Sequence, residues 1–189
     1  MKRFPLEQYA TLELNQVAFP KTGMVVSQVP LGDAFTKEAP CENGMWVVAD
    51  KAAKAIVAPA AVTDQPIGIV YTTEKEYDIF HYGLKTFGRK VAGDYPRVGL
   101  LGIGDTVTTN CLQYDEGEFV DDPDAAEHSA LMEALKDIDT TPIYVVPVAG
   151  SAVPQLTKTQ PNSGIYAKVV KFYTVPNGEP GVKYQVIRV

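Results

Sequence analysis

The chain has 189 residues, 46% of them hydrophobic and 21% charged, with a formal net charge of -6. That length suits one large domain or a domain with a small appendage, and the apolar content excludes a chain disordered throughout. The negative charge argues against a nucleic-acid backbone or an anionic membrane as the main partner. Ten tyrosines and 14 prolines favour strands and shaped loops over a helical bundle. Lys2 and Arg3 are followed at once by Pro5 and Glu7, which is not the pattern of a signal peptide. Lys51, Lys54 and several prolines keep every apolar stretch short of the roughly 20 residues a membrane helix needs. Cys41 and Cys111, the only cysteines, read as buried free thiols of a protein made in a reducing cytosol.

Residues 1–40 read as an extended N-terminal arm or first β layer, lying over its own domain or over a neighbouring subunit. Within it, Tyr9 to Val17 alternates like a strand, Leu12 and Leu14 against Thr11, Glu13 and Asn15, and Met24 to Val29 is a shorter strand candidate. Residues 41–189 read as a single β-rich domain. Asn43-Gly44 opens it as a turn before the strand-forming run Met45 to Ala49, and Ala55 to Ala58 is a partner strand. Pro66 to Tyr71 is a third strand, in which Gly68 signals close approach of another backbone. Thr72 to Asp78 is charged and solvated, and Ile79 to Phe87 has no clear period.

Asp94 to Asn110 is the pivot. Pro96 ends what precedes it, Arg97 to Ile103 is a glycine-studded apolar run, and Gly104-Asp105 is a tight corner expected to need positive φ. Thr106 to Asn110 is then a second strand. After a turn at Asp115-Glu116-Gly117 comes the one amphipathic helix, at about 122–137, capped by Asp121 or Asp122 and burying Ala126, Ala130, Leu131, Ala134 and Leu135. Pro142 to Val148 is a strand, and residues 151–164 read as a long proline- and threonine-containing loop. A C-terminal hairpin spans 165–189, turning near Gly178. The fold class is therefore mainly β, α+β at most: a β-barrel or β-sandwich-like domain with one short helix.

The chain offers little that carries chemistry. Asp115, Glu116, Glu118, Asp121, Asp122 and Asp124 read as a solvated turn and helix start, because Ala126 stands where a calcium loop would place a third ligand. His81 and His128 have no partner at metal-ligand spacing and read as structural, His128 on an exposed helix position. Ala149 and Val153 take the flanking glycine positions of a hydrolase elbow around Gly150-Ser151, and Val107 replaces the third glycine of a dinucleotide fingerprint after Gly102-Ile103-Gly104. The expectation is a non-enzyme with no catalytic, cofactor or metal residue. The residues singled out are Gly44, Gly68, Gly104, Asp105 and Gly178 as turns and pivots. Lys2, Arg3, Phe4, Tyr9 and Trp46 are the candidate interface, with core filling the alternative for Trp46.

Three stretches carry a resemblance. Asn43-Gly44-Met45-Trp46-Val47-Val48 followed by Asp64-Gln65-Pro66-Ile67-Gly68-Ile69-Val70 resembles the strand–loop–strand unit of the small β-rich head decoration, or capsid cement, proteins of tailed bacteriophages. Tyr95 to Gly99 with Gly104 to Asn110, and the hairpin from Val169 to Gly178, look like segments of phage virion proteins. The helix and the 151–164 segment have no counterpart in the smallest decoration proteins. The resemblance implies a structural virion protein, made in the host cytoplasm, that binds the major capsid protein on the outer head surface as a homo-oligomer, often a trimer. It implies no nucleic-acid or membrane partner. The alternatives are a tail-tube or connector component, or a β-barrel carbohydrate- or small-ligand-binding module with Tyr77, Tyr82 and Tyr114 lining its site.

Overall fold

The structure is a computed structural model describing residues 1–6, 8–14, 17, 24–26, 28–64, 66–72, 90–121, 126, 128–175 and 178–189. In chain order the strands are β1 (Lys2–Arg3), β2 (Val25–Val26), β3 (Trp46–Asp50), β4 (Ala55–Val57), β5 (Ile67–Val70) and β6 (Val98–Leu100). They continue with β7 (Thr106–Thr109), β8 (Gln113–Tyr114), β9 (Tyr144–Val148), β10 (Ser151–Thr157), β11 (Tyr166–Thr174) and β12 (Pro180–Arg188). The helix α1 (Ser129–Lys136) lies between β8 and β9. No helix among the described residues is long and apolar enough to cross a membrane.

These strands form a seven-stranded sheet, ordered β1-β8-β10-β9-β11-β12-β7, and a five-stranded sheet, ordered β2-β6-β5-β3-β4. Pairing is antiparallel except between β8 and β10. The fold is mainly β and sandwich-like, and among the described residues neither sheet closes into a barrel. Trp46, Ile67 and Ile69 from the smaller sheet share one core with Val107, Val145, Ala167, Val182 and Tyr184 from the larger. The opposite face of the smaller sheet is buried too: Val47, Ile56, Val70 and Val98 pack with Leu31 and Phe35. Strands covered on both faces become continuous apolar runs instead of alternating ones, which is why Ile67–Val70 is buried at every position.

The expected pivot has a larger role than a bend within one sheet. β6 pairs with β5 in the smaller sheet, whereas β7 pairs with β12 in the larger, so Gly102 to Asp105 carries the chain between layers. Gly104 has φ +94, which a β-carbon disfavours. The corner is pinned by Asp105 N to Gly102 O at 3.1 Å, and by Gly104 N to Val186 O and Val186 N to Asp105 O, both at 2.8 Å. Gly68 answers a different need. A β-carbon there would lie 2.4 Å from Val98 Cγ1 and 3.0 Å from the Gly99 carbonyl oxygen, the close approach the sequence signalled.

Several expectations change. The described residues of the Tyr9 to Val17 stretch form no strand: Leu12 makes one isolated bridge to Thr109, and Thr11 and Glu13 hydrogen-bond to Asn110 and Thr108. The segment thereby covers the outer edge of β7, a way of closing an otherwise open sheet edge. The described residues of 1–40 lie over their own fold, with Phe4, Leu12, Leu31 and Phe35 buried. The 151–164 segment is only partly a loop, because Ser151–Thr157 is β10. Its Pro154 is tolerated within the sheet because the register shifts between Ser151 and Gln155, where no ladder donor is required of it.

The helix begins at Ser129, and residues 122–125 lie outside the described ones. His128 precedes it at φ 63, which turns its ring inward instead of leaving it on an exposed helix face. Asp121 still caps from a distance: its carboxylate accepts hydrogen bonds from His128 N, Ala130 N and Ser129 Oγ. Leu131 and Leu135 are buried in the shared core as the helical spacing predicts, Ala130 and Ala134 are half-buried, and Ala126 lies outside the helix and is exposed.

Candidate functional site

Polar side chains converge where the N-terminal segment crosses the two sheets. β1 holds Arg3 beside β8, and the backbone of Cys41 exchanges hydrogen bonds with Lys90, turning Glu42 inward. Glu42 is buried and accepts from Ala10 N at 2.7 Å and from Arg3 Nη2 at 3.1 and 3.3 Å. These contacts offset the cost of taking a carboxylate out of water. Burial opposes the charge of Arg3, but Cys111 and Glu42 more than offset it and raise its proton affinity. Burial pushes the Cys41 thiol well up and the Cys111 thiol up to about 12. Both thiols are therefore protonated at neutral pH and poor nucleophiles.

Next to this pair, Asn110 Oδ1 accepts from Thr11 N at 2.7 Å, and its Nδ2 donates to Glu179 Oε2 at 2.9 Å. Thr109 Oγ1 donates to Thr11 O at 2.7 Å and accepts from Cys111 N at 2.9 Å. These bonds fasten the N-terminal segment, the β7–β8 connection and the end of the C-terminal hairpin together. At the helix end, the Tyr114 hydroxyl lies 2.7 Å from His128 Nδ1, and Phe4 and Phe119 meet this pair edge to face. With both rings buried, the Tyr114–His128 pair is part of the packing.

A concavity of about 400 Å³ opens beside the first cluster. Its walls are Arg3 and Tyr9 of the N-terminal segment, Phe35 and Met45 of the covering loop, and Ala152 and Val153 of β10. The β9–β10 connection ends at its rim, where Gly150 turns at φ +75 and donates its N–H to Pro59 O.

The residues singled out in the sequence fall into distinct places. Gly44 has φ +96, and a β-carbon there would meet Cys111 Cβ at 2.5 Å; Gly178 has φ +87 in the hairpin turn. Asp105 is fully buried, with Oδ2 accepting from Gly102 N at 2.7 Å. Phe4 and Trp46 serve the chain's own core and are not available to a partner. Trp46 donates to the Tyr184 hydroxyl at 2.9 Å. Lys2 reaches Asp121 at 3.7 Å, while Arg3 and Tyr9 line the concavity. Tyr114 is buried, so it cannot line an exposed aromatic site; Tyr77, Tyr82 and His81 lie outside the described residues.

Among the described residues no group of three or more His, Cys, Asp or Glu could hold a metal ion. The acidic stretch has local duties instead. Asp115 accepts from Gly117 N, and Glu118 accepts from Thr157 Oγ1 and Lys158 N. Sequence reasoning missed Glu42, Asn110 and Glu179. The one local signal nearby was the Asn43-Gly44 turn, whose Asn43 side chain exchanges two hydrogen bonds with the backbone of Thr72. Comparison of the chain with protein-family models, with curated proteins and with solved structures finds no match.

Proposed function

We propose that the chain is a structural virion protein that binds the outer surface of a phage capsid and stabilises the head by bridging major capsid protein subunits, as a homo-oligomer, most simply a trimer. The observation that supports this reading best is the strand–loop–strand unit on which the resemblance rests. Its two halves fold as antiparallel neighbours, with Trp46 opposite Ile69 and Val47 opposite Gly68. The buried polar clusters around Glu42, Asn110 and Tyr114 all join distant parts of the backbone, which suits a rigid module that must hold its shape on a shell. Large apolar side chains remain at the surface, Val120 at 71% and Tyr95 at 62% exposure, and such residues supply contact area to a partner.

The test is cosedimentation with empty heads, together with head melting in the presence and absence of the protein. A ligand that binds only the intact shell must stabilise it, so binding without a rise in head melting temperature contradicts the reading as much as no binding does. Deleting residues 1–11 is not a clean probe of attachment, because it removes the fully buried Phe4 and the Arg3 partner of Glu42. Tyr95→Ala and Val120→Ser remove exposed apolar area and leave the core in place.

A further inference from the structure

The geometry points to the concavity beside Arg3 as a binding site for a small carboxylate with an apolar body, an aryl or branched-alkyl acid. This assignment stands whether or not the chain sits on a capsid. Three observations carry it.

The first is the unused half of a fixed guanidinium. Arg3 is engaged through Nη2 alone, both contacts going to Glu42. Among the described residues nothing accepts from its Nη1 or Nε. Its side chain is 37% exposed and lines the concavity, while Glu42, at 7%, holds it in place. A guanidinium held through one nitrogen keeps N–H donors on the other two, each able to make a single charge-assisted bond to a second carboxylate. A lysine at the same place would present one nitrogen, already drawn to Glu42, in place of two further ones.

The second is the saturation of the other deep polar groups in the wall. Both Glu42 oxygens are taken, by Arg3 and by Ala10 N. Ser151 Oγ is occupied by Val153 N and Gln113 Nε2. The inner wall therefore presents spare donors and no spare carboxylate. Glu38 is exposed at the rim, where solvent screens its charge.

The third is shape and lining. About 400 Å³ falls in the range of roughly 300–1,000 Å³ found for small-molecule sites, which pair a mostly apolar lining with a few placed polar groups. Phe35, Met45, Ala152 and Val153 are buried by the fold and form such a lining next to Arg3. An apolar acid would lay its body on these residues and its carboxylate against the unengaged nitrogens of Arg3.

The experiment is a backbone-amide NMR titration of the whole protein with phenylacetate, and with phenylacetamide as the uncharged analogue of the same size. Saturable shifts at Ala34, Ala152 and Val153 are expected with phenylacetate, and binding about tenfold weaker with phenylacetamide, the loss expected for a charge-assisted paired contact. Arg3→Lys keeps a cation for Glu42 but loses the two unengaged nitrogens, and should weaken phenylacetate about tenfold. Ala34→Trp, at an exposed wall position, should abolish the shifts and leave the melting temperature unchanged. The inference is overturned by absent or non-saturable shifts, by equal affinity for the amide, or by unchanged titration of either variant. If Arg3→Lys fails to fold, the amide comparison and Ala34→Trp still decide.

Discussion

The centre of the five-stranded sheet and the seam under the N-terminal segment both lie inside the fold and are built from opposite materials. In the centre, β5 runs between β3 and β6 with apolar side chains on both faces and one glycine where backbones crowd. In the seam, Arg3, Glu42, Thr11, Asn110 and Glu179 hold each other through hydrogen bonds of 2.7–3.3 Å. Close packing makes the first intolerant of volume, and unsatisfied partners make the second intolerant of deletion. The centre therefore fails when atoms are added and the seam when one partner is removed.

The largest effect should come from overfilling the centre. Gly68→Val is expected to cost about 3 kcal/mol or more, since even its β-carbon collides with Val98 and the Gly99 carbonyl. Denaturant titration would measure it, and an unchanged midpoint would show that β5 and β6 can separate freely. Next comes Glu42→Ala, at about 2–3 kcal/mol, because it strands the Arg3 charge and the Ala10 N–H. The comparison sharpens in the double variant Arg3→Met with Glu42→Leu. Replacing both charges by apolar groups should recover most of that loss, and no recovery would mean that the seam needs its ion pair specifically.

His128→Ala should cost about 1–2 kcal/mol by leaving the Tyr114 hydroxyl without its ring partner, again by thermal or chemical denaturation. Gly104→Val belongs in the same range, about 1–2 kcal/mol, from backbone strain alone, since no atom lies within 4 Å of the added β-carbon.

The smallest effects are those of pH, and two aspartates should give opposite signs. Burial raises the Asp105 carboxyl above its ordinary value, against the opposing Gly102 N–H bond. Its folded form keeps a proton that the unfolded chain has released. Its contribution is thus full below the unfolded value and lost as pH rises through the folded one. For Asp121, burial alone would raise the carboxyl, but hydrogen bonds from Ala130, His128 and Ser129, with Lys2 nearby, outweigh it and lower the value. That contribution is present above the unfolded value and lost as pH falls through the folded one. Urea midpoints followed from acid to neutral pH should flatten on the high side in Asp105→Asn and on the low side in Asp121→Asn. Matching slopes in both variants and the wild type would remove this contrast.

The apolar centre was largely legible in the sequence, and the seam was not. β3, β4, β5 and the C-terminal hairpin follow from β-branched and aromatic runs bounded by turn residues, all of them local signals. Gly68 stands out because a glycine inside a strand marks a close backbone approach, and Gly104 because a glycine before an aspartate marks a tight corner. Arg3 and Glu42 are 39 residues apart, and Thr11 and Asn110 are 99 apart, so no window of the sequence contains both partners. β10 was hidden because Pro154 reads as a breaker until the register shift beside it is seen. His128 was misplaced because the period of the helix continues past its real start, and periodicity carries no information about a left-handed residue in between.

The bond between Trp46 and Tyr184 spans 138 residues, and its consequence is felt during synthesis. Trp46 leaves the ribosome early, yet the hydroxyl it donates to lies on the last strand of the larger sheet, and Phe4 waits equally for Leu112. Until the C-terminal hairpin emerges, the larger sheet lacks β11 and β12, and the part of the apolar inner face that packs on Val182 and Tyr184 stays open to solvent and to other nascent chains. Folding dominated by such distant pairings is slow and exposed to aggregation. Yield in a cell should therefore depend on chaperone supply more steeply than the stability of the finished molecule would suggest.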